Sequence, residues 1–140
     1  MKISARNVLA GTVKNVTKGA VNAEVVLTLE GGETVASIIT NASVDSLGLR
    51  EGSSAYVIIK ASEVMIGKGV EKAKLSARNV LAGEVARLED GAVNSEVEIR
   101  LAGGTAVVAS ITKVSVRALD LKSGDQVSAI IKASNVLLGV

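Results

Sequence analysis

The chain has 140 residues, with no cysteine and no histidine, and its 16 basic and 14 acidic residues leave a net charge of +2. Disulfides, thiolate catalysis and the usual zinc sites are therefore excluded. The charges are nearly balanced, so the chain lacks the strong positive charge that is typical of proteins that bind DNA or RNA. No signal peptide is recognisable, and no apolar run reaches the roughly 18 residues of a membrane span, so we expect a cytoplasmic protein without a membrane partner.

The first half of the chain predicts a short all-β unit. Alternating apolar residues and glycine turns predict strands at Val8 to Val16, Val21 to Leu29, Thr34 to Thr40 and Ala55 to Lys60, with Val64 to Ile66 closing the unit. Gly31-Gly32 supplies the positive φ of a hairpin turn. Asn41 to Leu47 predicts a short helix that ends at Gly48.

The second half repeats the first at an offset of 72 residues. KISARNVLAG at residues 2–11 returns as KLSARNVLAG at residues 74–83, and 34 of 68 positions are identical when residues 73–140 are aligned without a gap on 1–68. We therefore predict two domains, residues 1–68 and 73–140, with residues 69–72 as a short join. A domain of this size is marginally stable alone, so duplication and oligomerisation would both help by burying apolar surface.

Five short strands with a helix between the third and the fourth are typical of an OB-type barrel. We therefore predict an all-β protein made of tandem OB-like five-stranded barrels. Strand periodicity alone is also compatible with an SH3-like barrel or a small sandwich.

The sequence lacks most of the residue types and motifs on which common catalytic mechanisms depend. No histidine can act as a general base, and the phosphate-binding patterns GxxxxGK[ST] and GxGxxG are absent. Glu24 and Glu96 recur in register, but their mid-strand positions indicate a solvated face. Ser–Lys pairs are the one conceivable nucleophilic arrangement. We therefore predict a protein that is not an enzyme.

The alternative function for such barrels is binding of single-stranded nucleic acid. That binding depends on aromatic side chains on which the bases stack. Tyr56 is the single aromatic residue of the chain, which ranks this alternative behind small-anion binding.

A polar set recurs in both halves and consists almost entirely of hydrogen-bond donors. Its members are Ser4, Arg6, Asn7, Thr40, Ser43, Lys60 and Ser62, with Ser76, Arg78, Asn79, Thr112, Ser115, Lys132 and Ser134 as the second copy. A site made of donors suits a fully ionised oxyanion, because an unprotonated acceptor would repel it. Taken singly, the serines could begin strands, the threonines could cap the short helices, and the cations could be surface charges.

The motifs SARNVLAG, GAVNxEV, IT-x-x-SV and IIKAS, in this order in each half, resemble the Mop domain of the molbindin family in its two-domain, ModG-type form. The resemblance implies an OB-like fold and a cytoplasmic protein that stores or buffers molybdate and, similarly, tungstate. It also implies a particle of six Mop domains, which for a two-domain chain is a homotrimer.

The resemblance further implies an anion site between domains, with donors from SARN, IT-x-x-S and IKA. Carried onto this sequence, these are Ser4, Arg6, Thr40, Ser43, Lys60, Ala61 and Ser62, and Ser76, Arg78, Thr112, Ser115, Lys132, Ala133 and Ser134. The two alanines could offer only their backbone N–H. Asn7 and Asn79 match the motif and could instead be structural. A second class of site near a threefold axis is expected at Gly19, Val21 and Asn22 and at Gly91, Val93 and Asn94.

Overall fold

Each half of the chain forms five strands and one short helix in the order predicted from the sequence. A computed structural model describes residues 1–140. The first repeat contains β1 (Asn7–Lys18), β2 (Asn22–Leu29), β3 (Thr34–Thr40), α1 (Asn41–Leu47), β4 (Ser54–Ile59), a 3-10 turn (Ala61–Glu63) and β5 (Met65–Gly67). The second repeat contains β6 (Asn79–Asp90), β7 (Asn94–Leu101), β8 (Ala106–Thr112), α2 (Lys113–Ala118), β9 (Gln126–Ile131), a 3-10 turn (Ala133–Asn135) and β10 (Leu137–Gly139).

These strands form two curled antiparallel sheets of five strands, which confirms the predicted all-β architecture with a helix between the third and fourth strands of each repeat. In each sheet, bulges shift the register between the first strand and the second, at Val13/Asn15 and at Val85/Arg87. Such bulges bend a strand and increase its local twist, which helps the sheet to curl.

The two repeats exchange their last strands. The sheet orders are β10-β4-β1-β2-β3 and β5-β9-β6-β7-β8, so each sheet takes four strands from one repeat and one from the other. The expectation that Val64 to Ile66 closes the first unit is therefore wrong. Met65 pairs with Ile130 and Leu137 pairs with Ile58, which is the same register in both sheets. Both β4 and β9 end in Ile-Ile, and each pairs with the closing strand of the other repeat at equivalent positions.

A single apolar core joins the two repeats. Its 23 buried residues come from both, and in β2 and β7 buried side chains alternate with half-buried or exposed ones. β3 and β8 differ, because residues 35–37 and 107–109 are buried in unbroken runs. These runs lie where the other repeat packs: Ser37 Oγ donates to the carbonyl of Val136 at 2.6 Å. None of the helices has the length and apolar character needed to cross a membrane.

Equivalent positions of the two repeats touch each other across an approximate twofold axis. Asn135 Nδ2 donates to Glu63 Oε2 at 2.9 Å, and these positions correspond at the 72-residue offset. Thr105 Oγ1 lies 3.5 Å from Glu33 Oε2 at a second such pair. The sequence repeat is therefore also an approximate structural symmetry, with one copy of each motif in each symmetry-related half.

Candidate anion-binding site

The SARN and IKAS segments of one repeat meet at one end of its sheet. Asn7 begins β1, Ile59 ends β4, and the two residues are paired in the antiparallel ladder. The residues just before β1 and just after β4 therefore leave the sheet side by side. They line a cavity of about 440 Å³ formed by Ile3, Ser4, Ala5, Arg6, Ile58, Lys60, Ala61, Ser62 and Leu137.

The second repeat builds an equivalent cavity of about 430 Å³. It is lined by Ile38, Met65, Leu75, Ser76, Ala77, Arg78, Ile130, Lys132, Ala133 and Ser134. Strand exchange puts a residue of the opposite repeat into each cavity, Leu137 in the first and Met65 in the second. Neither cavity is complete without both repeats, and no carboxylate lines either one.

The 3-10 turns present backbone donors beside these side chains. The N–H groups of Glu63 and Val64 donate to the carbonyls of Lys60 and Ala61, which closes the first turn. The N–H groups of Ala61 and Ser62 have no backbone acceptor. The second turn repeats this arrangement. Adjacent free N–H groups of this kind form a concave surface that favours an anion.

Both arginines of the donor set are paired with carboxylates of the opposite repeat. Arg6 donates to Glu96 through both Nη atoms, at 2.5 and 2.8 Å. Arg78 forms the same bidentate pair with Glu24, with Nη2 at 3.0 Å from Oε1. The hydrogen bond from Arg78 to Glu24, reinforced by the charge of the carboxylate, raises the pKa of Arg78 above its ordinary value.

The interpretation of Glu24 and Glu96 as solvated strand residues is corrected by these pairs. Their side chains are 32% and 27% exposed, and each is held by a guanidinium. The partners lie 54 and 90 residues apart in the chain, so local pattern could not join them. The available signal was the recurrence of both carboxylates in register with both arginines.

Asn7 and Asn79 are only 2% exposed and lie between the repeats. Asn7 Nδ2 donates to the carbonyls of Ile59 and Val108, and Asn7 Oδ1 accepts from the N–H of Val108 at 2.7 Å. Asn79 makes the corresponding pair of bonds with the backbone of Ala36, each at 2.8 Å. Both side chains are bonded to the backbone of the opposite repeat, so these two residues join the repeats, and neither lines a donor cavity.

The IT-x-x-S residues line neither cavity. Thr40 Oγ1 caps α1 by accepting from the N–H of Ser43 at 3.0 Å, and Thr40 also donates to Ser43 Oγ. Thr112 and Ser115 do the same for α2. Within one chain, the predicted interdomain donors therefore fall into two separate groups.

The predicted threefold-axis residues lie with this second group. Asn22 pairs with Thr40 in the ladder, and Asn94 pairs with Thr112. Val21 and Val93 are 70% and 73% exposed. Each repeat therefore has one donor-lined cavity and, around the start of its helix, a second polar cluster with an exposed valine.

Known proteins resemble this chain in sequence and in fold. The TOBE domain model matches the chain twice, over residues 3–66 and 75–138. The molybdenum-pterin-binding protein MopA of Rhodobacter capsulatus is 42% identical over 140 residues, 100% of this chain and 53% of MopA. Molybdenum-pterin-binding protein 3 of Clostridium pasteurianum is 52% identical over 66 residues, 47% of this chain and 97% of that protein. A crystal structure of the cytoplasmic molybdate-binding protein ModG with molybdate bound has a TM-score of 0.96 at 48% identity, covering 100% of this chain and 99% of that chain.

The chain belongs to the TOBE domain family and carries one copy of the domain motif in each repeat. It spans about half the length of MopA. The resemblance to the two-domain molbindins is confirmed, because the fold agrees with that of ModG along the whole chain.

Proposed function

We propose that this protein binds molybdate, and tungstate in the same way, as a reversible store of the oxyanion. The observation that carries the proposal is the composition of the two cavities. Each gathers a guanidinium, an ammonium, two serine hydroxyls and free backbone N–H groups, and neither is lined by a carboxylate. Charge-assisted donors of this kind suit a tetrahedral dianion.

The free oxyanion suits these cavities better than a molybdenum-pterin compound. A pterin ring offers a flat aromatic face, which proteins commonly hold by stacking. The single aromatic residue, Tyr56, lines neither of the donor cavities and lies on β4 in a different surface groove. The inorganic ion needs donors alone, and donors are what the cavities provide.

The complete sites are proposed to form between copies of the chain. Exposed apolar residues such as Ile3, Leu75 and Leu137 rim the open cavities, and such surface favours burial against a partner. In a homotrimer, the Thr40–Ser43 and Thr112–Ser115 clusters of neighbouring chains would approach the cavities, and the residues around Val21 and Val93 would gather near the threefold axis. Residues 1–68 and 73–140 remain the proposed domain units, with a cytoplasmic location as described for ModG.

Equilibrium dialysis against molybdate in excess sulfate tests the function. We expect the intact protein to retain molybdenum, and Arg6→Ala combined with Arg78→Ala to weaken binding by roughly ten- to a hundredfold, as for loss of a charged hydrogen-bond donor. Arg50→Ala with Arg117→Ala is the matched control, because it removes two exposed arginines that line neither cavity.

The result that contradicts the proposal is an intact protein that retains no molybdenum at micromolar free molybdate. Equal affinity in both double variants would instead remove Arg6 and Arg78 from the site. Light scattering of the same samples should give three times the chain mass of 14.2 kDa if the homotrimer forms.

A further inference from the structure

Each arginine of the donor set is already neutralised within the chain. Arg6 lines the first donor cavity and also a separate polar cavity in which Glu96 lies. Glu96 does not line the donor cavity, so it holds the guanidinium from the other side. Arg78 lines the second donor cavity and pairs with Glu24, which does not line that cavity. The carboxylate comes from the opposite repeat in both cases.

We propose that Glu24 and Glu96 are built-in counter-ions that compete with the oxyanion for the two arginines and thereby weaken its binding. This inference rests on the proposed function. Each carboxylate keeps its arginine charge-compensated while the cavity is empty, and each opposes the arrival of a second anion. A store that must release its cargo benefits from such a competitor, because release regains the ion pair.

Neutralising the carboxylate should tighten anion binding whichever way the oxyanion contacts the arginine. A guanidinium has five N–H donors, and the carboxylate uses one on each Nη. The oxyanion either binds the remaining donors and shares the arginine, or it displaces the carboxylate. In the first case two anions repel across one cation, and in the second an existing ion pair is lost. Neutralising the carboxylate therefore tightens binding in either case.

An opposing effect of the carboxylate is to hold the arginine in place. Removing it frees one exposed side chain, and the rotamer entropy of that side chain would then weaken anion binding. The repulsion acts on a doubly charged ion, whereas the ordering concerns one side chain. We therefore expect the loss of repulsion to outweigh the entropy cost, so that removing the carboxylate tightens anion binding.

The two repeats should respond unequally. Glu96 also lies 3.5 Å from Arg87, and Arg87 in turn pairs with Glu89. Asn15 and Thr17 occupy the positions equivalent to Arg87 and Glu89 in the first repeat, and neither is charged. Glu24 thus has one cationic partner where Glu96 has two. When the oxyanion takes the arginine, Glu96 still has Arg87 beside it, whereas Glu24 is left without a cationic partner. Displacing Glu24 therefore costs more, so its removal should have the larger effect.

Isothermal titration of the full chain with molybdate tests the inference through Glu24→Gln, Glu96→Gln and the control Glu98→Gln. Glu98 lies two residues from Glu96 on the same strand, but its ion pair is with Arg100. We expect Kd to fall roughly two- to fivefold for Glu24→Gln, less for Glu96→Gln, and least for Glu98→Gln, within the range of exposed ion pairs.

Perrhenate provides a readout that a purely structural role would not change. It is a tetrahedral ion like molybdate but carries one negative charge. Electrostatic competition predicts that Glu24→Gln improves log Kd for molybdate about twice as much as for perrhenate, because the interaction scales with the ligand charge. A change in cavity shape would alter both by similar amounts.

Unchanged or weaker molybdate binding in Glu24→Gln, with normal binding by the intact protein, would overturn this inference and leave the proposed function standing. Weaker binding would assign the carboxylates to holding the arginines. Failure of the intact protein to bind molybdate would overturn the proposed function and this inference together.

Discussion

The two repeats keep the same cavity residues but differ where they touch each other. In a symmetric dimer of single repeats, a residue on the twofold axis meets its own copy, so a glutamate there would face a second glutamate. In this chain Glu63 meets Asn135 and Glu33 meets Thr105. Joining two copies in one chain allows one side of each pair to change alone. Duplication therefore allows the contact between repeats to be complementary while both donor cavities keep the same polar residues.

The largest expected effect comes from the buried asparagines that join the repeats. Asn7→Ala removes three hydrogen bonds and leaves the buried N–H and carbonyl of Val108 without partners. We expect the free energy of unfolding to fall by about 2–4 kcal/mol, since each buried unsatisfied group costs about 1–3 kcal/mol. Asn79→Ala loses only its two bonds to Ala36 and should cost less.

Denaturant unfolding measures both variants. Asn15→Ala is the control, because Asn15 is an exposed asparagine on the same strand as Asn7, and its removal should stay within about 0.5 kcal/mol. Equal small losses in all three variants would show that the asparagines do not join the repeats energetically.

A second comparison concerns the hairpin tips at Gly31 and Gly103, which pack against each other. A Cβ added at Gly103 would overlap the carbonyl oxygen of Gly31, and backbone cannot move aside cheaply. A Cβ added at Gly31 would instead meet the side-chain ends of Glu33 and Thr105, with Thr105 Oγ1 at 2.6 Å. Gly103→Ala should therefore cost about 1–3 kcal/mol, as overpacking does, and Gly31→Ala should cost less.

Thermal unfolding of the two variants checks this order. The variants serve as each other's control, because the substitution and the turn type are the same. A reversed order, or equal melting temperatures, would contradict the contact between the tips.

Local sequence pattern was sufficient for the strands, the helices and their order. Alternation in Val21 to Leu29 predicted β2 to within one residue of its observed start, and Gly48 ends the helical segment in the left-handed conformation, with φ of 64°. These features depend on neighbours in the chain. The repeated SARN and IKAS motifs also identified the residues that line the two cavities.

Features that join the two repeats could not be read from local pattern. β5 and β10 are three-residue strands that pair in equivalent registers, so the periodicity of either strand does not tell which repeat it joins. The Arg6–Glu96 pair and the contact of Asn7 with Val108 cross 90 and 101 residues. Thr40 and Ser43 were grouped with the cavity by family resemblance, and in a single chain they cap a helix elsewhere.

The smallest predicted effect concerns the turn before the fourth strand of each repeat. Ser53 Oγ accepts from the N–H of Arg50 in the first repeat, and Asp125 Oδ2 accepts from the N–H of Lys122 in the second. Both side chains accept a hydrogen bond from the backbone of their turn. The aspartate also forms an ion pair, with Asp125 Oδ2 at 3.1 Å from Lys68 Nζ. This contact ties the end of the first repeat to the second repeat. Val140, at the position equivalent to Lys68, offers no cation to the first repeat.

Lowering the pH should weaken the turn that contains Asp125 but not the turn that contains Ser53, because only the aspartate can be protonated. The N–H of Lys122 first, and then Lys68, lower the pKa of Asp125 below its ordinary value of 3.8. Because the folded-state pKa is the lower one, the stabilisation is present above 3.8 and is lost as the pH falls through the folded-state pKa. Asp125→Ser retains the backbone hydrogen bond and removes the charge, so it should lower the melting temperature slightly at pH 7 and lose this difference in acid. Ser53→Asp should bring less stabilisation than Asp125 provides, since valine occupies the position equivalent to Lys68. An equal gain would show that the backbone hydrogen bond, and not Lys68, accounts for the effect.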